Sequence, residues 1–139
     1  VLIKLHSGIP ELIKIIPSNS IIVFPDDGAC KRFKQFFPHF KTIVCSKVRE
    51  GNNRIIKITD KLNFPLPETD VKYDEVIIID DLVQSGGTII KCKDALQALG
   101  YINISAYVTH SVFPNDGWKK FLNNIQPPKS ARYRMPKLR

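Results

Sequence analysis

The sequence predicts an α/β fold, a mainly parallel sheet flanked by helices. Three observations predict it. Short apolar runs rich in β-branched residues recur along the chain, bounded by turn signals. They alternate with stretches of helical period, as in chains that build parallel sheets. The runs are nearly continuous in apolar character, which suits strands covered on both faces.

The predicted strands are 20–24, 42–45, 54–58, 75–80 and 104–109, and the predicted helices are 10–16, 28–37, 87–99 and 116–124. The third helix is the best defined. Ile89, Cys92, Leu96 and Leu99 fall on one stripe, and Gly100 stands where a helix ends. The stretch from Thr59 to Tyr73, with Pro65 and Pro67, has no strong period and is expected to be a connecting loop.

The chain has 139 residues, 43% of them hydrophobic, enough for one core and too few for two comfortable domains. One domain is expected over residues 1–125, followed by a basic, flexible tail over 126–139. The formal charge of +8 suits a binder of anionic phosphates or of nucleic acid. Part of that excess lies in the tail, in Lys129, Arg132, Arg134, Lys137 and Arg139. Cys30, Cys45 and Cys92 form no CxxC pair, which argues against a zinc site and a disulfide framework and favours a reducing, cytoplasmic setting. No apolar run approaches the roughly 18 residues of a membrane span, and no membrane association is expected. The first residue is Val1, which is compatible with a processed or truncated piece.

The chemistry concentrates where the strand Glu75 to Ile79 runs into Asp80-Asp81, Leu82, Val83, Gln84, Ser85, Gly86, Gly87 and Thr88. Glycines followed by a helix N-terminus can cradle a phosphate on backbone N–H groups, and Ser85 and Thr88 add hydroxyl donors. Adjacent carboxylates repel a phosphate but accept hydrogen bonds from ribose hydroxyls. Together the pieces match a sugar bearing a phosphate. From spacing alone the alternative stands that Asp80 and Asp81 end a strand and the glycines serve geometry. No GxGxxG follows a strand and no GxxxxGK[ST] occurs, which disfavours dinucleotide and Walker-type sites.

The block from Val76 to Thr88 resembles the phosphoribosyl-diphosphate (PRPP) motif of phosphoribosyltransferases, and more closely that of ribose-phosphate diphosphokinases, the PRPP synthetases. Phe24 to Phe33 is similar to the family's pyrophosphate-side loop, and Ile43 to Arg49 to the start of its catalytic flexible loop. Ala106 to His110, with Val112-Phe113, looks like its last core strand. The blocks follow family order over about residues 8 to 124. Gln84, where most members carry an acidic residue, is similar to the divergent class II synthetases of plants. There the chain departs from the pattern of the allosteric, hexamer-forming members.

The resemblance implies a phosphoribosyltransferase-type fold, the second half of a PRPP synthetase. It implies transfer of diphosphate from ATP to the C1 hydroxyl of ribose 5-phosphate for nucleotide biosynthesis, with Mg2+ on the phosphates and a homo-oligomeric state. Residue by residue it implies that Asp80, Asp81, Gln84, Ser85, Gly86, Gly87 and Thr88 bind ribose 5-phosphate or PRPP. Lys47 and Arg49 would be catalytic, and Asp26 and Gly28 would line the pyrophosphate side, Asp26 as a metal ligand. On the residues alone, Lys47 and Arg49 are a solvated basic loop, Asp26 a helix N-cap, and Lys31 and Arg32 surface charge near the site. His110 is expected near the site mouth without a catalytic role. Family members have a similar first half that supplies much of the ATP site. The expectation is therefore a chain that binds ribose 5-phosphate but makes little PRPP without that half or a partner subunit. Two alternatives share the fold: a nucleobase salvage phosphoribosyltransferase, and a non-catalytic PRPP-synthetase-associated or PRPP-sensing subunit. Nucleic-acid binding through the tail ranks last.

Overall fold

A computed structural model describes residues 7–51, 53–58 and 73–122. The expected tail and nearly all of the Thr59 to Tyr73 stretch lie outside the described residues. The helices are α1 (Ile9–Ile15), α2 (Asp27–Phe33), α3 (Gly87–Ala98) and α4 (Lys119–Leu122). The strands are β1 (Ile21–Phe24), β2 (Lys41–Glu50), β3 (Asn53–Ile58), β4 (Val76–Val83) and β5 (Ile104–Ser111). They form one sheet in the order β3-β2-β1-β4-β5. β1 pairs parallel with β2 and β4, and β4 parallel with β5, while β3 joins β2 as an antiparallel hairpin. The mainly parallel α/β architecture expected from the sequence is therefore present.

Both faces of the sheet are covered, which explains why its central strands are apolar throughout. On one face Ile21, Val23, Ile43, Cys45, Val76 and Ile78 pack with Ile89, Cys92 and Leu96 of α3. On the other Ile22, Phe24, Val44, Ile77 and Ile79 pack with Ile9 and Leu12 of α1 and with Ala29 and Phe33 of α2. Burying each such side chain contributes about 1.5–3 kcal/mol, so the two layers fix the strand ends firmly. Because α2 and α3 cover opposite faces, the carboxyl ends of β1 and β4 open a crevice between them, where ligands bind in open α/β sheets.

Several boundaries depart from expectation, the largest at β2, which runs past Cys45 to Glu50 because it pairs with β3, so Lys47 and Arg49 lie on a strand and not in a loop. β4 continues past Asp80 to Val83, because β5 keeps pairing with it through Leu82 opposite His110 and Val83 opposite Ser111. The expected 28–37 helix divides into α2 and a 3-10 turn, Lys34–Phe36. Within the described part of the 116–124 stretch the helix begins only at Lys119, as α4, preceded by a 3-10 turn at Pro114–Asp116. Leu99 leaves the buried stripe of α3 and is 41% exposed, since the helix stops before it and Gly100 takes φ +94°.

Candidate functional site

The crevice is built from three chain segments. From β4 come Asp80, 9% exposed, and Asp81, half-buried. Asp80 Oδ1 accepts the Asp81 backbone N–H at 2.9 Å, which orients the first carboxylate. Burial raises the Asp80 carboxyl. The Asp81 N–H opposes the shift, while the Asp81 side chain and the negative charges of Asp81 and Asp26 reinforce it, leaving the group at about 6. A buried carboxyl beside a second one is a common signature of a functional site.

The loop after β4 is Gln84-Ser85-Gly86, and α3 begins at Gly87. Gly86 caps α3 with φ +82°, a conformation only glycine adopts at little cost. A Cβ there would also lie 2.6 Å from the far edge of the Phe121 ring, which would have to shift. Ile90 N–H already donates to Gly86 O at 3.0 Å. The N–H groups of Gly87, Thr88 and Ile89, in the first turn, have no acceptor within the helix and lie at its positive end. The structure thus brings the whole sequence-predicted run, Asp80, Asp81, Gln84, Ser85, Gly86, Gly87 and Thr88, to one end of the sheet.

From β1 comes Asp26, the N-cap of α2, whose Oδ1 accepts the Ala29 N–H at 2.9 Å. Lys47 of β2 donates from Nζ to Asp26 Oδ2 at 2.9 Å. Burial would raise the Asp26 carboxyl, but the hydrogen bonds from Lys47 and Ala29 and the charges of Lys47 and Arg32 hold it below the usual range. The N-cap role read from the residues is present, and Lys47 joins it across 21 residues of sequence. Gly28 lies tight against this cap: a Cβ would meet Asp26 Oδ1 at 3.2 Å and an Arg32 terminal nitrogen at 3.5 Å. Lys47 sits within the β2–β3 hairpin, opposite Ile56. Arg49 lies further along β2, and its side chain is outside the described residues.

Sequence reasoning missed two parts of the site. Arg32, read as surface charge, grips Asp81 with Nε 3.1 Å from Oδ2 and a terminal nitrogen 3.1 Å from Oδ1, and lies 3.9 Å from Asp80. The other is the segment behind β5. Val112 N–H donates to Val83 O and Phe113 N–H to Gln84 O, each at 2.9 Å, and Lys120 Nζ donates to Ser85 O at 3.0 Å. Phe121 stacks edge-on to Phe113 over Gly86. Phe113, Asn115 and Asp116 all take positive φ, strain that the packing of this segment must offset. No local spacing could have revealed either feature, because Arg32 and Asp81 are 49 residues apart and Lys120 and Ser85 are 35 apart. His110 stands opposite Leu82, beside the crevice and exposed.

Among the described residues no group of three or more His, Cys, Asp or Glu side chains could hold a metal ion, and no helix is long and apolar enough to cross a membrane. The carboxylates are already matched by cations, Asp26 by Lys47 and Asp81 by Arg32. Such an arrangement suits ligands that bring their own charges.

No protein-family model matches the chain. It is 49% identical over 121 residues to a protein named mitochondrial ribose-phosphate pyrophosphokinase 3 of Spinacia oleracea, covering 84% of this chain and 28% of that protein. It is 46% identical over 121 residues to ribose-phosphate pyrophosphokinase 4 of Arabidopsis thaliana, covering 84% of this chain and 34% of that protein. At 24% identity over 126 residues it matches a ribose-phosphate pyrophosphokinase of Sulfolobus acidocaldarius, covering 87% of this chain and 42% of that protein. The chain therefore spans well under half the length of these relatives. In three dimensions it resembles an orotate phosphoribosyltransferase of Aeropyrum pernix and an adenine phosphoribosyltransferase. Each has a TM-score of 0.53 and 15% identity and covers 81% of this chain, with 64% and 68% of the respective partner covered. Those two likenesses bear on fold alone. Over 84% of its length the chain is thus similar to a segment of the plant ribose-phosphate pyrophosphokinases, and its sheet is of the phosphoribosyltransferase type.

Proposed function

We propose that this domain binds ribose 5-phosphate and supports transfer of the diphosphoryl group of ATP to its C1 hydroxyl, yielding PRPP and AMP. The observation that carries the reading is the junction of β4 and α3, where two carboxylates lie one short loop before a helix N-terminus. The 5-phosphate sits on the N–H groups of Gly87, Thr88 and Ile89 with the hydroxyls of Ser85 and Thr88, where backbone dipoles and donors favour an anion. Asp80 and Asp81 accept the ribose 2- and 3-hydroxyls, and Gln84 borders the loop. Phe121 and Lys120 hold the loop from behind, so little ordering remains to be done on binding.

In the transfer, the C1 oxygen bonds to the β-phosphorus of ATP as the bond from that phosphorus to the α-phosphate oxygen breaks, and the hydroxyl proton is lost to solvent or a base. The protein's task is positioning and charge stabilisation. Lys47, on the opposite wall of the crevice, leaves Asp26 to meet the transferred phosphates, and Arg49 joins it. Magnesium commonly arrives on phosphates and keeps several waters, needing one or two protein carboxylates. Asp26 fits that part, with Gly28 leaving room beside it, and when bound the ion neutralises phosphate charge. A salvage phosphoribosyltransferase would share this loop, but the relatives' names favour the synthetase.

Calorimetric titration of ribose 5-phosphate into the chain, with and without magnesium, tests the reading. Binding that disappears in the Asp80→Asn/Asp81→Asn variant supports it. Absence of binding to the wild type counts against it and favours the non-catalytic alternative.

A further inference from the structure

We propose that Arg32 is the specificity-determining residue that makes the Asp80–Asp81 pair an acceptor of sugar hydroxyls and denies it to divalent cations. The inference rests on the sugar-phosphate reading above and names the residue that tunes that site. Adjacent carboxylates at the end of a buried strand are hard oxygen donors of the sort that magnesium, manganese and calcium take. Here the guanidinium occupies them first. Its Nε and one terminal nitrogen each lie 3.1 Å from a different Asp81 oxygen, and the same terminal nitrogen is 3.9 Å from Asp80 Oδ1. The planar fork matches the carboxylate and its charge is permanent at any working pH.

The two kinds of ligand respond oppositely to this fork. A carboxylate offers about four lone-pair sites. The fork uses one on each Asp81 oxygen, and those left over can accept neutral hydroxyl donors. A divalent ion at the same oxygens meets a fixed positive charge within a few ångströms and must displace it. The fork also holds the Asp81 plane still, so its remaining lone pairs have one direction. The fold keeps Arg32 in place: it lies on α2, the helix whose start Asp26 caps.

The test uses manganese alone as the first probe, titrated calorimetrically into the wild type, Asp81→Asn, Arg32→Met, and Arg32→Met/Asp81→Asn, with circular dichroism to verify folding. The Arg32 side chain is half exposed, so Met, which keeps an apolar stem, leaves the core untouched. Arg32→Met should bind one manganese ion at least about tenfold more tightly than the wild type binds any at this pair, since a unit charge at short range in a partly buried site has that scale of effect. The added site should vanish in the double variant. No gain in Arg32→Met, a gain that survives Asp81→Asn, or wild-type binding that Asp81→Asn removes would each overturn the proposal.

Ribose 5-phosphate in manganese-free buffer is the second probe. Arg32→Met should bind it severalfold more weakly than wild type, and equal or tighter binding would overturn the positioning role. If the wild type fails to bind the sugar phosphate, the proposed function fails, while the manganese titrations still decide whether Arg32 excludes cations.

Discussion

Replacing Asp80 with Asn should make the protein more stable at neutral pH and, on the proposed function, less able to bind ribose 5-phosphate. Asp80 is 9% exposed, and its carboxyl titrates at about 6 against an ordinary 3.8, with burial as the first cause. Between those two values the folded protein holds a proton that the unfolded chain has released. Stability therefore falls as pH rises through this window, and the full cost is present above about 6. At about 1.36 kcal/mol per pK unit, the gap amounts to about 3 kcal/mol as an upper bound. Asn keeps an oxygen for the Asp81 N–H, now at 2.9 Å, and leaves the Arg32 fork on Asp81 intact. The loss is the 3.9 Å contact between Arg32 and Asp80, worth under about 1 kcal/mol because Arg32 is half exposed. The net expectation is a gain of about 1–3 kcal/mol at pH 8, which raises the melting temperature by about 3–10 °C in a chain of this size. Below pH 4 the two proteins should melt together, since both then carry a neutral group. Melting curves by circular dichroism from pH 4 to pH 8 check this. A difference independent of pH, or a variant less stable than wild type at pH 8, would refute the reasoning.

Gly86→Ala should cost about 1–3 kcal/mol in urea unfolding, from its φ of +82° and the clash with the Phe121 ring. Combining it with Phe121→Ala should recover the steric part and leave the backbone part, so a fully additive double mutant would show that the ring is not the obstacle. A thiol reagent should label Cys30 in the native protein and reach Cys45 and Cys92 only on unfolding. Both are 0% exposed, and the contact of the Cys92 sulfur with Cys45 at 3.4 Å, together with burial, pushes the Cys92 thiol far above the ordinary thiol range. Counting labelled thiols by mass before and after denaturant decides it. Ser20 Oγ is buried without a hydrogen-bond partner among the described residues, so Ser20→Ala should raise stability by about 1 kcal/mol, measured as a shift in the urea midpoint at constant slope.

Features encoded by neighbours in sequence were legible, and features encoded by distant pairs were not. The apolar runs of β1 and β4 identify themselves because both faces are covered, and Gly86-Gly87 before a helix marks the loop through backbone geometry alone. The end of β4 was misplaced because Asp81 and Leu82 look like a turn in isolation. Only the pairing of Leu82 with His110, on a strand nearly thirty residues later, keeps them extended. Arg32 shows the same limit. Its place on α2 reads as solvated surface, and its grip on Asp81 exists only because parallel pairing of β1 with β4 sets the helix after one strand beside the end of the other.

That juxtaposition also explains why charge counting misleads here. The formal excess of +8 suggests an electropositive cleft waiting for phosphate, yet the described crevice pairs its two most prominent cations with its own carboxylates. Without ligand, Lys47 answers Asp26 and Arg32 answers Asp81, and the single, partly exposed contact of Lys47 with Asp26 is cheap to open. Phosphates entering the crevice can draw Lys47 away at little cost, because its bond to Asp26 is replaced by stronger ones to anions. Arg32 differs, since its fork spans both Asp81 oxygens and opening it would strip the carboxylate of its orientation. Substrate charge should therefore redistribute the Lys47 side of the site while the Arg32 side stays as it is, so that Lys47→Met chiefly weakens the response to phosphate-bearing ligands and Arg32→Met chiefly alters which ligand the carboxylates accept.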